Sequence, residues 1–297
     1  MNDSHQGLHL LPCLDSDEMA DARRRELDIS RDFARDLGRS AVEISESGFY
    51  QNSKGQRVNI QKMVEDAIAD KVSIAPEYPL PATRPATVAE TTVQVTNETT
   101  LMAAEQLTVS GHEPLALNFA NGVNPGGGFL HGARAQEEGL CRSSALFLTL
   151  VGDPMYDHHR QREEPDSTDW TIYSPKVPIF RSDDGKELEA PWQLSFLTCA
   201  APYAPEIGQP RSGDLLKSRI QRVLAIAAAY GYRSLVLGAW GCGAFENDPK
   251  RTAQDFRTAL ESDFAGHFST VVFAITDWSP VRRFLGPFRD VFSDASP

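Results

Sequence analysis

Two adjacent carboxyls, Glu137 and Glu138, follow Gln136 a short spacer after three consecutive glycines, Gly126, Gly127 and Gly128. Such a pair can supply a general acid that later serves as the base. Neighbouring side chains on one turn diverge. Glu137 and Glu138 therefore cannot flank a glycosidic bond from opposite faces, as the paired acids of most glycosidases do. One carboxyl is left for proton transfer and the other for orienting hydroxyls. A carboxyl close to both a like charge and an anionic ligand is expected to have a raised pKa, which suits a proton donor. A solvated first turn of a helix accounts for a Glu-Glu pair equally well, since acids favour that position.

The glycines end the stretch Asn118–Gly128 (NFANGVNPGGG). Consecutive glycines cost backbone entropy, and a fold keeps them where the chain turns left-handed or another group comes close. Following a strand, they could present N–H groups to a diphosphate or simply form a tight turn. A second loop, Gly238–Pro249 (GAWGCGAFENDP), leads from a strand to a helix N-terminus, a geometry suited to phosphate. There Phe245 either steers a ribose or base, or fills the core. Gly126-x-Gly128 has His131 where a dinucleotide fingerprint needs its third glycine, and no Walker lysine is present. Two such loops in one domain point to a ligand carrying two phosphates.

These loops require strands to position them. Hydrophobic patterning predicts strands at Thr91–Val95, Leu115–Phe119, Leu194–Ala200, Ser234–Gly238 and Thr270–Thr276. Helices are predicted at Met19–Leu37, Ile60–Asp70, Glu98–Leu107, Leu140–Val151, Leu215–Tyr230 and Val281–Phe292, with one more starting at Asp248-Pro249 as N-cap and first turn. Alternating strands and helices predict an α/β fold with a mixed or mostly parallel sheet, and ligands in such sheets bind at the strands' carboxyl ends. Residues 1–18 read as a flexible polar tail. Residues 19–85 read as an N-terminal helical segment, closed by the proline-rich connector Pro76–Pro85, and residues 86–297 as the main domain. The charged run Tyr156–Trp170, His158 and His159 included, reads as a solvated excursion.

The 297 residues are 41% hydrophobic and 24% charged, ordinary for a soluble globular chain. A net charge of -12 disfavours direct binding to nucleic acid, so an anionic ligand must be held locally by backbone N–H groups. No run approaches the about 18 apolar residues of a membrane span, and the first residues carry no secretory pattern. The four cysteines, Cys13, Cys141, Cys199 and Cys242, contain no C-x-x-C pair. That argues against a zinc site or a disulfide framework and fits a cytoplasmic protein.

The segment NFANGVNPGGGFLHGARAQEEGLCRSS resembles the signature of the bacterial-type poly(ADP-ribose) glycohydrolases, a branch of the macrodomain superfamily. VTNETTLMAAEQL, LTCAAPYAP, GAWGCGAFENDP and VVFAITD resemble family blocks in the same order, and Gly48-Phe49-Tyr50 resembles part of an accessory segment. The resemblance spans roughly Arg23 to Phe292. It implies a macrodomain-like three-layer α/β/α fold with a mixed sheet plus an N-terminal helical extension.

It also implies roles. Glu138 would be the catalytic acid/base, and Glu137 would hold the ribose hydroxyls beside the scissile bond. Gly126, Gly127 and Gly128 would line the diphosphate, with Gln136 in the same motif. Gly241, Cys242, Gly243 and Ala244 would form the second phosphate loop, Phe245 would position the distal ribose, and Asn121 would meet a ribose. Adenine would lie around Ala274–Asp277. The reaction implied is cleavage at C1″ of the distal ribose of poly(ADP-ribose), releasing ADP-ribose without metal or other cofactor. Removal of mono-ADP-ribose from a protein side chain and non-catalytic ADP-ribose reading are the alternatives; the intact acid pair speaks against the second. Tyr203, Glu246, the acidic insert Asp183–Glu187 and His158-His159 depart from the family pattern and are expected to bear on which substrates reach the cleft.

Overall fold

The computed structural model describes residues 7–83 and 85–293. The chain begins with strand β1 (Gly7–Leu10), helices α1 (Asp17–Leu27) and α2 (Arg31–Ser47), and the hairpin β2 (Phe49–Gln51) and β3 (Arg57–Asn59). Helix α3 (Gln61–Ala69) and strand β4 (Val72–Ile74) precede the connector. Beyond it come β5 (Glu90–Thr96), α4 (Thr100–Val109), β6 (Pro114–Ala120), α5 (Gln136–Ser143), α6 (Leu146–Leu150), α7 (Pro154–Arg160), β7 (Thr171–Arg181) and β8 (Glu187–Ala200). The chain ends with α8 (Ala204–Ile207), α9 (Arg211–Ala229), β9 (Ser234–Leu237), α10 (Pro249–Glu261), β10 (Thr270–Ala274) and α11 (Leu285–Val291).

Eight strands form one mixed sheet in the order β1-β5-β10-β9-β6-β8-β7-β4. Pairing is parallel from β1 through β8 and antiparallel between β8, β7 and β4. Alternate residues of each strand face opposite layers. Leu115, Leu117, Leu235, Leu237, Val271 and Phe273 enter one core with α9, α10 and α11. Ala116, Val236 and Val272 enter the other, with α2 to α6. The first core closes on an aromatic stack: Phe273 lies 5.4 Å from Phe256, 5.3 Å from Phe288 and 4.6 Å from Phe292, ring centre to ring centre. Each ring buried there contributes about 1.5–3 kcal/mol. The result is the three-layer α/β/α architecture. It sets the carboxyl ends of the parallel neighbours β5, β10, β9 and β6 side by side.

Several sequence expectations need correction. Residues 1–6 of the expected tail lie outside the described residues. From Gly7 onward the tail is strand β1, parallel to β5, and α1 already starts at Asp17. The stretch before the connector thus supplies both outer strands of the sheet, β1 and β4. The single helix expected over Met19–Leu37 is two, because the Ser30 hydroxyl accepts from Phe33 N and starts α2 afresh. Helix Leu140–Val151 breaks at Ser144, which is extended (φ -149, ψ 173) and bridges to Ile179. Strand β7 went unpredicted. Its Pro175 and Pro178 disfavour a strand, and a bulge between Ser174 and Val177 accommodates the irregularity. Tyr156–Trp170 is solvated only in part: Asp157, His158 and residues 160–165 are exposed, but Asp153 caps α7, and Tyr156, His159 and Asp166 are buried.

Candidate active site

Helix α5 begins at Gln136 and carries all three motif side chains on its first turn. Gln136 binds the framework. Its Oε1 accepts from Phe119 N (2.9 Å), while Nε2 donates to Leu117 O (2.8 Å) and Thr100 Oγ1 (3.1 Å). These bonds lock the helix start to β6 and to α4.

The two glutamates are held differently. Glu137, 3% exposed, has both oxygens engaged: Oε2 accepts from Asn121 N (2.7 Å) and Oε1 from Asn118 Nδ2 (3.3 Å). Burial, reinforced by the neighbouring Glu138 charge, pushes the Glu137 carboxyl up to about 8. Glu138 accepts from Gly128 N at Oε1 (2.9 Å), and its buried Oε2 has no protein partner. One oxygen is therefore fixed and the other is free to exchange a proton with whatever occupies the adjoining cavity.

That cavity has a volume of about 360 Å³ and opens at the carboxyl ends of β5, β10, β9 and β6. Asn121, Glu137 and Glu138 line it from one side, Gly241, Gly243, Ala244 and Phe245 from the second loop, and Ala274–Thr276 from the end of β10. Trp278 and Phe284 add apolar surface there, and Leu27 of α1 completes another wall. Two positive groups also line it. Arg134 is paired with Asp28 (2.8 Å), and the buried Arg142, one turn after Glu138, donates to Ala133 O (2.7 Å). Among the described residues, no group of three or more His, Cys, Asp or Glu is arranged to hold a metal ion.

Gly126 and Gly127 adopt φ of +69° and +60°. They lie against the carboxylates: a β-carbon on Gly127 would meet Glu137 and Glu138, and one on Gly126 would meet Phe129 and Cys141. In the second loop, Gly241 (φ +75°) sits against Ala201 and Asn247. Asn247 Nδ2 ties the loop to Pro202 O (2.9 Å) and Gly241 O (3.1 Å). Cys242 turns its thiol inward toward Thr252, and burial raises its pKa to about 12. Asp248 caps α10 through Lys250 N (2.8 Å), which holds the loop's far end.

Most of the sequence-derived residues converge on this cavity, though Gly126, Gly127, Gly128 and Cys242 are not among those lining it. Asn121 turns its Oδ1 to Val123 N and Asn124 N (both 2.9 Å), leaving its backbone N–H on Glu137. Among the departures from the family pattern, Tyr203 packs on Phe245 with ring centres 5.8 Å apart, and Glu246 is exposed with φ +53°. Asp183 lines the cavity and accepts from Thr99 Oγ1 (2.5 Å); its removal from solvent raises it to about 6. Sequence reasoning missed Asn118, Arg142 and Asn247. For Asn118 a signal existed: an amide inside the apolar run LALNF demands a buried partner.

The microbial-type PARG catalytic-domain family model matches residues 38–182. Among solved structures, poly(ADP-ribose) glycohydrolase from Thermomonospora curvata is 42% identical over 87% of this chain and 98% of that one, with TM-score 0.82. The same protein bound to the inhibitor ADP-HPD is 40% identical over 86% and 98%, with TM-score 0.80. Poly(ADP-ribose) glycohydrolase from Deinococcus radiodurans in complex with ADP-ribose is 39% identical over 79% and 98%, with TM-score 0.72. No curated protein matches.

Proposed function

The chain belongs to the microbial-type poly(ADP-ribose) glycohydrolases, and on that premise we propose that Glu138 is its general acid and base. The protein hydrolyses poly(ADP-ribose), and relatives hold ADP-ribose or ADP-HPD. The observation that carries the Glu138 assignment is its unpartnered, buried Oε2 beside the cavity. In this reading a protonated Glu138 donates to the oxygen leaving C1″ of the distal ribose, and the C1″–O bond breaks. The oxocarbenium-like centre gains from the negative diphosphate nearby. Glu138, now a carboxylate, takes a proton from water as the new C1″–O bond forms, which regenerates the acid.

Glu137 orients the ribose hydroxyls from its clamped position. With a pKa of about 8 it is largely neutral at pH 7, so it adds little charge against the anionic ligand. The diphosphate lies between the two loops, near Gly128, Gly241, Gly243 and Ala244, with Phe245 against the distal ribose and Asn121 beside it. Adenine takes the end of β10 around Ala274–Asp277. Gln136 and Cys242 act through the frame, the first by anchoring α5 and the second by seating its loop. Catalytic groups fall within residues 86–297, and the preceding segment contributes a wall through Leu27. We place the enzyme in the cytoplasm, a reading supported by its four free cysteines; no described helix is long and apolar enough to cross a membrane.

The test is Glu138→Gln. It should lower the rate of ADP-ribose release from polymer by about 10²–10⁴-fold, while calorimetry still detects ADP-ribose binding. Undiminished turnover would remove Glu138 from the acid/base role.

A further inference from the structure

The segment from α7 to β7 carries the His159 that the catalytic reading leaves unused. His159 is 4% exposed and stands against the loop after β6. Its Nδ1 lies 3.0 Å from Gly122 O. On the other side of the ring, Thr168 N donates to Nε2 at 3.1 Å, and the Thr168 hydroxyl is 2.8 Å away. A backbone N–H can only donate, so Nε2 carries no proton and Nδ1–H must be the donor to Gly122. Burial, with Arg219, His158 and Arg162 nearby, lowers the ring's pKa to about 4 and keeps it neutral.

Gly122 has no room to drift. A β-carbon on it would fall 2.5 Å from Ser167 Oγ and 3.3 Å from Ala200 Cβ. The residue before it, Asn121, gives its N–H to Glu137 Oε2 at 2.7 Å. The same segment also holds the second loop: Pro165 O accepts from Tyr203 N (3.0 Å), and Ala204 N donates to Phe245 O (3.0 Å). Arg219 fixes the segment in turn, donating to Asp166 O and to Ala200 O. One excursion thus supports both walls of the cavity.

From these contacts we propose that His159 is a positioning residue for glycosidic cleavage, holding Gly122 so that the Asn121 N–H keeps Glu137 in place. The proposal rests on the assignment of Glu137 and Glu138 to catalysis. It concerns alignment within the bound complex, so its loss should lower kcat more than it alters KM.

Amide replacements separate the two ring contacts. In His159→Asn the amide nitrogen falls where Nδ1 stood and can still donate to Gly122 O. In His159→Gln it falls near Nε2 and leaves Gly122 O unpaired. Polymer hydrolysis by wild type, both variants and Glu138→Gln should be compared in one assay. We expect His159→Asn to stay within about threefold of wild-type kcat, and His159→Gln to lose about tenfold or more with KM within about twofold. Wild-type kcat in His159→Gln, or equal losses in both, overturns the proposal. An active Glu138→Gln instead overturns the acid assignment and leaves the His159 comparison readable. Imidazole nitrogen shifts of the unmodified protein provide a measurement independent of any variant. They should show the neutral Nδ1–H tautomer at pH 7, and an Nε2–H or doubly protonated ring would overturn the proposal.

Discussion

Gly127 passes so close to Glu138 that a β-carbon on it would lie 2.4 Å from the carboxylate Oε1. The glycine loop therefore shapes Glu138, and its N–H groups are engaged within the protein: Gly127 N donates to Asn124 O (3.0 Å) and Gly128 N to Glu138 Oε1 (2.9 Å). Gly127→Ala must displace Glu138 and also place alanine at φ +60°, a conformation that costs about 1–2 kcal/mol. Thermal unfolding should show a loss of that size, and ADP-ribose release should fall by about 10²-fold. Full activity in Gly127→Ala would mean that the carboxylate tolerates displacement.

Glu137 ties stability to pH. Its carboxyl is raised from 4.5 to about 8, so the folded protein keeps a proton that the unfolded chain releases. This contribution is full below pH 4.5 and is lost as pH rises toward 8. Asp183, raised to about 6, acts in the same sense at lower pH. Between about pH 7 and 8 the slope belongs mainly to Glu137, and urea denaturation should show about 1 kcal/mol lost across it. In Glu137→Gln that slope should flatten.

Gln136 is expected to matter for folding more than for affinity. Each of its three hydrogen bonds goes to the protein frame. Gln136→Met leaves buried backbone groups unpaired and should cost about 1–3 kcal/mol in chemical denaturation. ADP-ribose affinity of the folded fraction, measured by calorimetry, should stay within about threefold of wild type. A large loss of affinity at unchanged stability would make Gln136 a direct ligand contact.

Phe245 lines the cavity and is held by Tyr203 and Ala204. On the proposed reading, Phe245→Ala removes the surface set against the distal ribose. Steady-state kinetics should show kcat lowered by about 10–100-fold, because misalignment weakens every later contact. An unchanged kcat would place the ring outside the reacting complex.

Legibility in the sequence followed locality. Asp248-Pro249 announces the start of α10 because a cap and a first-turn proline act within one turn. Leu115–Phe119 and Thr270–Thr276 declare themselves as strands through unbroken β-rich runs. Strands β1 and β4 contain four and three residues, and their pairing comes from partners far along the chain. His159 looked like a surface histidine because its contact with Gly122 spans 37 positions. The glutamate pair was legible as chemistry, and the family resemblance rather than the residues alone assigned proton transfer to Glu138; the contacts that hold Glu137 were not legible. What raises Glu137 is its burial, and what clamps it is Asn118 and Asn121, a strand away.

The sheet order carries a consequence for how the enzyme behaves at high concentration. Its longest strand, β8 with 14 residues, lies between β6 and β7, and β7 with 11 meets β4 at Thr171–Tyr173. The outermost positions among the described residues fall to the four residues of β1 and the three of β4. An exposed strand edge is a template for another copy's backbone, and a short one offers little to copy. By laying β1 along Glu90–Val93, the first described strand leaves a second copy only four residues of backbone edge on that side.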